Sequence, residues 1–266
     1  MALTVSLWQV IKKGARMDLS LVIPCFNESD SIDQMRAQLN AIRPELARRG
    51  SFELVLVDDG STDDTYERLK AAFADWEHVQ IARHERNRGL GAALRTGFAH
   101  ARGEVIVVTD SDGTYPFTTI PAMLDMLTPD VDIVTSSAYH PQGGVEGVPA
   151  YRLLFSQGAS LIYRLLVNRH IHTYTAMYRA YRRRVIEQVP PTLEGYVVMA
   201  EILVNALLAG YRVVEYPAVL HVRKFGQSKA KIWRTTKSHL RFQAHILRRR
   251  LAGLFRAAPV TTGRVK

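Results

Sequence analysis

Val105-Ile-Val-Val-Thr-Asp-Ser-Asp-Gly-Thr-Tyr-Pro116 is the stretch that decides how the 266-residue chain is read. Val105 to Val108 are apolar and mostly β-branched, the composition of a strand buried on both faces. The run stops at Asp110-Ser111-Asp112-Gly113, so two carboxylates are delivered to the end of a buried strand. In an open α/β sheet the carboxyl ends of the strands open onto the ligand crevice, which aims both acids at a ligand. Carboxylates this close repel unless a cation lies between them, and hard oxygen ligands suit Mg2+ or Mn2+. Asp, Ser and Gly are also ordinary turn residues, so the triplet alone is compatible with a polar cap on a strand.

Towards the N-terminus the pattern alternates. Leu19 to Pro24 reads as a strand, and Asn27 or Ser29 caps a helix running to Arg49 with a break before Pro44. Phe52 to Val57 is a second strand ending at Asp58-Asp59-Gly60-Ser61, followed by a helix over 62–74 and a third strand over 79–82. Gly89 and Gly91 lead into a helix through Ala101. Strands alternating with helices at this spacing predict an α/β fold with a mainly parallel sheet flanked by helices, the acidic ends of the second and fourth strands sharing one edge.

Towards the C-terminus, Thr118 or Thr119 with Pro121 opens a short helix, and Val131 to Ser136 is a strand. The Gly- and Pro-rich stretch 138–149 reads as an irregular flap. Helices are expected over 152–167 and 196–209, with a short segment at 173–181 between them, then a strand over 212–220 and a turn at Gly226 to Ser228. A long basic helix follows over 231–255. Its stripe of Leu240, Ala244, Leu247, Leu251 and Leu254 is flanked by Lys237, Arg241, Arg248 and Arg250, and suits either a membrane surface or packing on the domain. Residues 1–18 form an amphipathic segment, 19–230 the main domain, 231–256 the basic helix and 257–266 a tail.

Lys and Arg total 35 against 25 Asp and Glu, a net charge of +10. Thirteen of the 35 lie beyond Glu215, the last acidic residue, so the basic character belongs to the C-terminus. Phosphates, anionic lipid headgroups or nucleic acid are the candidate partners. Nucleic acid fits least, because it leaves the acidic strand ends unexplained and no basic platform interleaved with aromatics is present. No apolar run reaches the ~20 residues of a spanning helix, and the first 18 residues do not read as a secretory signal. Cys25 is the single cysteine, which favours a reducing, cytosolic compartment and reads as a small apolar residue at a strand end.

The motifs IPCFNES (23–29), VDDGSTDDT (57–65), NRGLGAAL (87–94) and DSDGTYP (110–116), in this order, resemble the successive motifs of glycosyltransferase family 2, whose members have a GT-A fold. The helix carrying Glu201, EYPA at 215–218 and VRKFGQSKAK at 222–231 resemble its polyprenyl-phosphate branch, typified by the dolichol-phosphate mannose synthases. The resemblance implies a metal-dependent inverting transfer from a nucleotide sugar, a GDP- or UDP-sugar, to a polyprenyl phosphate. It assigns Asp58 and Asp59 to the nucleoside, with Pro24, Asn27 and Glu28 lining the same pocket. Ser61, Asn87 and Gly89 belong to the turns around the nucleotide. Asp110 and Asp112 would hold Mg2+ or Mn2+, and Arg223, Lys224, Ser228 and Lys229 would contact phosphates. Asp112, Arg223 and Lys224 are the expected catalytic groups. Glu201 is the base if the acceptor is a hydroxyl, or a structural carboxylate holding Arg223 or Lys224. The alternative acceptor is a soluble or glycan hydroxyl compound. With no spanning segment, a peripheral place on an anionic membrane at the cytoplasmic face is expected, and a membrane partner subunit is compatible with it. The sequence departs from the family pattern at Asp64, Gly113-Thr114, Ala138, Thr173 and Met177.

Overall fold

In the computed structural model, which describes residues 17–223 and 232–253, the central apolar run is strand β4 (Gly103–Val108). It lies between β1 (Met17–Cys25) and β7 (Arg179–Arg182) in a seven-stranded sheet. The order is β3 (Val79–Arg83), β2 (Phe52–Asp58), β1, β4, β7, β5 (Ile133–Ser137) and β8 (Val213–Pro217). β1 runs parallel to β2 and β4, β2 to β3, and β5 to β8; β7 alone is antiparallel to both its neighbours. The expected mainly parallel sheet is therefore present.

Period-two alternation divides the strands between two cores. Leu21, Ile23, Leu54, Leu56 and Val107 pack with Met35, Leu39, Ile42 and Leu46 of α1 (Ile32–Arg49), Leu69 of α2 (Thr65–Ala72) and Met123 of α4 (Ile120–Asp125). Val22, Val55, Val57, Ile106 and Val108 face the opposite side. There they meet Leu94 and Phe98 of α3 (Leu90–His100), Val185 of α6 (Arg183–Gln188), and Val198 and Ile202 of α7 (Val198–Leu208). Beyond α7, a third cluster joins it to α5 (Ala150–Leu166) through Tyr163 and to α8 (Ile232–Leu251) through Ile246.

Several local expectations are corrected. α1 continues through Pro44 without a break. The proline sits on the exposed side, and buried Ile42 and Leu46 hold the helix to the core on either side. The segment between α5 and α7 contains β7, which fills the sheet between β4 and β5. The strand expected over 212–220 divides at Ala218: β8 joins the main sheet, while β9 (Val219–His221) pairs with β6 (Gly144–Glu146) inside the expected flap. Residues 1–16, the turn at 226–228, Lys224, Ser228, Lys229, Leu254 and the 257–266 tail lie outside the described residues.

Candidate active site

Because β1, β2 and β4 are mutually parallel, the segments after them, Phe26 to Glu28, Asp59 to Ser61 and Asp110 to Gly113, emerge at one edge of the sheet. They border a cavity of about 730 Å3. Pro24, Glu28, Asp59, Asn87, Gly89, Asp110 and Arg223 line it. Across from them stand Met177, Glu194 and Tyr196, with Arg234, Thr235 and Ser238 from α8. Asn27, Asp58 and Ser61 are not on this lining, and Asp112 touches it through Arg223.

The acidic centre is held by one cation among the described residues around it. Arg223, which follows β9, donates its Nε–H to Asp112 Oδ2 (2.6 Å) and a terminal N–H to Glu28 Oε1 (2.9 Å). Asp112 Oδ1 accepts the Thr114 backbone N–H at 3.0 Å. Desolvation, with Asp112's charge beside it, pushes Asp110 up to about 8. Desolvation also raises Glu28, Arg223 opposing and Asp112 adding to the shift. Although burial acts to lower Arg223, Asp112 and Glu28 hold it above its ordinary value. Tyr196 across the cavity is raised to about 12 by desolvation and then by Asp110.

The β2 edge is built differently. Asp59 accepts from His84 Nδ1 (2.6 Å), the Arg88 and Gly89 backbone N–H groups (2.9 and 2.8 Å) and Asn87 Nδ2 (3.0 Å). Its carboxylate therefore fixes the 84–89 turn while forming part of the wall. Asp58, fully buried, accepts the Ser61 N–H (3.1 Å) and pairs with Arg83 at 3.2 Å. Ser61 Oγ takes the Asn27 N–H, and Asn27, at φ 51°, accepts from Thr62 N–H, so the loops after β1 and β2 are stitched together. Gly60 adopts φ 69° and presses against Arg86, where a Cβ would come within 2.2 Å of the Arg86 carbonyl carbon.

Glu201 does not line this cavity. Its buried carboxylate accepts the backbone N–H of Thr192 and of Leu193 and the Thr192 hydroxyl, which fixes the turn carrying Glu194 and Tyr196. Cys25 does reach the wall, and burial pushes its thiol up, away from nucleophilic use. His84 and Tyr196 were missed in the sequence, where Met177 appeared only as a departure from the family pattern. His84 has its partners Asp59 and Thr96 (2.8 Å) 25 and 12 residues away, and no spacing marks it. Met177 and Tyr196 come from segments that meet the cavity only through the fold.

Among the described residues, no group of three or more His, Cys, Asp or Glu is arranged as a complete metal cage. The donor set nevertheless fits a hard divalent ion. Glu28, Asp110 and Asp112 lie close together, with Arg223 bonded to Glu28 and Asp112 among the described residues, and Mg2+ or Mn2+ is commonly held by one or two carboxylates with the rest of its shell from water and phosphate.

The family described as Glycosyl transferase family 2 matches residues 20–189. The dolichol-phosphate mannosyltransferase of Pyrococcus furiosus is 32% identical over 217 residues, covering 81% of this chain and 60% of that protein. The chain thus spans about three-fifths of that relative's length. The polyprenol monophosphomannose synthase of Mycolicibacterium smegmatis is 32% identical over 216 residues, 79% of each chain. In fold, the chain is similar to glucosyl-3-phosphoglycerate synthase from Mycobacterium tuberculosis, crystallised with Mn2+, UDP and glucosyl-3-phosphoglycerate. The TM-score is 0.65 at 20% identity, covering 92% of this chain and 85% of that one.

Proposed function

The chain belongs to glycosyltransferase family 2, and from that premise we propose that it moves a sugar from a nucleotide sugar to a polyprenyl phosphate, with Asp110 and Asp112 holding a divalent metal. The observation that carries the reading is the meeting of Asp110, Asp112, Glu28 and Arg223 at the carboxyl edge of three parallel strands, beside a cavity of nucleotide-sugar size. Bound there, the ion would neutralise charge on the leaving diphosphate. Arg223 supplies a planar pair of donors suited to phosphate oxygens, and Arg88 and Arg234 add positive charge to the same lining. The 24–28 and 87–89 walls form a fixed edge for the nucleoside. The resemblance extends phosphate contacts to Lys224, Ser228 and Lys229.

A phosphate acceptor brings an oxygen that is already anionic at neutral pH, so the in-line displacement needs positioning more than a base. The placement of Glu201 agrees with this, since its carboxylate is occupied by the 192–193 turn. The acceptor's apolar part has a counterpart as well. A groove of about 370 Å3, lined by Phe155, Ile162, His239 and Leu240 among others, adjoins the main cavity through Tyr196 and Thr235, which border both.

Membrane association is the peripheral part of the reading. No helix among the described residues is long and apolar enough to cross a membrane. α8 instead turns Trp233, Leu240, Leu247 and Leu251 outward, and the neighbouring α5 exposes Leu154, Leu161 and Leu165. Arg152, Lys237, Arg241 and Arg248 are exposed on the same two helices, each worth roughly 1 kcal/mol near anionic lipid when well placed. An apolar strip with basic flanks is the chemistry of an interfacial helix. The inner, cytoplasmic face is the side where polyanionic nucleotide sugars and anionic headgroups are both available.

The test is nucleotide diphosphate release from a panel of GDP- and UDP-sugars with Mg2+ or Mn2+, with and without a polyprenyl phosphate, beside Asp112→Asn. Release that needs both metal and lipid phosphate and is lost in the variant is the expected result. Release indifferent to the lipid would transfer the acceptor to a hydroxyl compound, and release unaffected by Asp112→Asn would remove the metal role.

A further inference from the structure

Both oxygens of Asp112 are already engaged, one by the Thr114 backbone N–H within its own turn and the other by Arg223. The two bonds differ in kind. The Thr114 bond joins residues two apart and is part of the turn's shape, whereas the Arg223 bond spans 111 residues and depends on one side chain. An ion approaching Asp112 therefore meets a guanidinium in possession, and like charges competing for one carboxylate do not share it readily. The same guanidinium neutralises Glu28, whose position after β1 brings a third carboxylate to the centre.

We propose that Arg223 is the resident cation of this acidic centre, and that a divalent ion takes Asp112 by exchange with it, releasing the guanidinium to the donor's diphosphate. The proposal rests on the metal-dependent transferase reading and adds an order to it: cation loading frees the phosphate grip, so the two are one event. It also gives the β6–β9 ribbon a task. His221 N–H donates to the Thr114 carbonyl (3.0 Å) and Val222 N–H to the Glu146 carbonyl (2.9 Å), so the chain just before Arg223 is tied to the Asp112 turn on one side and to the 144–146 flap on the other. An exchange at Arg223 is thereby felt at the flap without moving the sheet.

The experiment measures Mn2+ binding by electron paramagnetic resonance in the absence of nucleotide, for the wild type, Arg223→Gln and Arg88→Gln. Arg88 lines the same cavity, so its variant reports what removal of a nearby positive charge does by itself. The exchange predicts that Arg223→Gln binds Mn2+ roughly tenfold tighter or more, since no charge-assisted bond has to be given up, while Arg88→Gln changes far less. In the unmodified protein, Mg2+ is expected to speed phenylglyoxal modification of Arg223, followed by peptide mass spectrometry; this arm is independent of how any variant folds. Equal or weaker binding by Arg223→Gln, an equal gain in Arg88→Gln, or an Arg223 that Mg2+ leaves unchanged or protects would overturn the exchange. If Mn2+ fails to bind every protein even with GDP or UDP present, the metal-dependent reading falls and the exchange with it. If Mn2+ binds with nucleotide but Arg223→Gln shows no gain, the exchange alone is lost.

Discussion

Acid should loosen α8 from α5, and His239 sets the size of the effect. This residue is 6% exposed, its Nδ1 lies 3.0 Å from the Tyr163 hydroxyl, and desolvation lowers its pKa from 6.5 to about 4. A depressed folded-state value means that the docked helix refuses a proton which the released helix accepts. The docking free energy is therefore complete above pH about 6.5, falls as the pH drops, and levels off below about 4. The 2.5-unit gap corresponds to about 2 kcal/mol lost by pH 5 and about 3 kcal/mol near pH 4, so opening of α8 should become about 30-fold more frequent at pH 5. Hydrogen exchange of the 232–251 amides, corrected for the intrinsic pH dependence, reads this directly. His239→Leu removes the titration while leaving Tyr163 without its partner, which costs about 1 kcal/mol at all pH values; its exchange should be faster at pH 7 yet flat with acid. Opening that is constant from pH 7 to pH 5 in the wild type, or an identical slope in His239→Leu, would refute the argument.

Arg179 is fully buried and donates to Thr135 Oγ1 (2.9 Å), the Tyr174 carbonyl (2.8 Å) and the Met199 carbonyl. Arg179→Met strands these acceptors, so a loss of about 3 kcal/mol or more is expected in urea unfolding with an unchanged m-value; a loss below 1 kcal/mol would show that they find other donors. Leu247→Glu combined with Leu251→Glu alters side chains that are 43% and 79% exposed, so stability should stay within about 0.5 kcal/mol. Binding to vesicles containing anionic lipid should fall by about 100-fold or more through lost apolar insertion. Unchanged flotation would remove these leucines from any membrane contact.

The strand and helix alternation was legible because β1, β2 and β4 are apolar runs, two of them, β2 and β4, running into acids, a pattern that survives without any partner information. β7 was not, since Arg-Ala-Tyr-Arg reads as surface. Only the structure supplies the three acceptors that let Arg179 lie in the sheet, and Arg182 likewise donates to the carbonyls of Leu127, Thr128 and Val131. In the candidate site, motif residue Arg223 comes within hydrogen-bond reach of Asp112 and Glu28, 111 and 195 positions away. Motif spacing could not say how a carboxylate spends its oxygens. Asp59 gives its own to the 84–89 turn and Glu201 to the 192–193 turn, and both facts depend on backbone N–H groups that no residue type announces.

The face that α8 turns inward shows the same limit and carries the larger consequence. Ranked by residue type, its leucine stripe belongs inside; in the fold His239, Gln243 and Ile246 are buried, and Leu240, Leu247 and Leu251 are exposed. The cause lies on α5. Gln243 donates to the Ala159 carbonyl (3.1 Å), and Arg250 to the carbonyls of Leu165 and Leu166 (3.1 Å each) at the end of the helix, where carbonyls lack intrahelical partners. Polar side chains on α8 are thus the complement of polar groups on α5, and the leucines are left over. Ile246 still packs between the helices, but the outward leucines of both form an apolar strip of the kind that marks an interaction surface. α8 also supplies Arg234, Thr235 and Ser238 to the cavity wall, so the proposed membrane contact at the leucines would sit on an element that also borders the site. On that proposal one element would serve both surface docking and the cavity wall, and its seat is His239 against Tyr163.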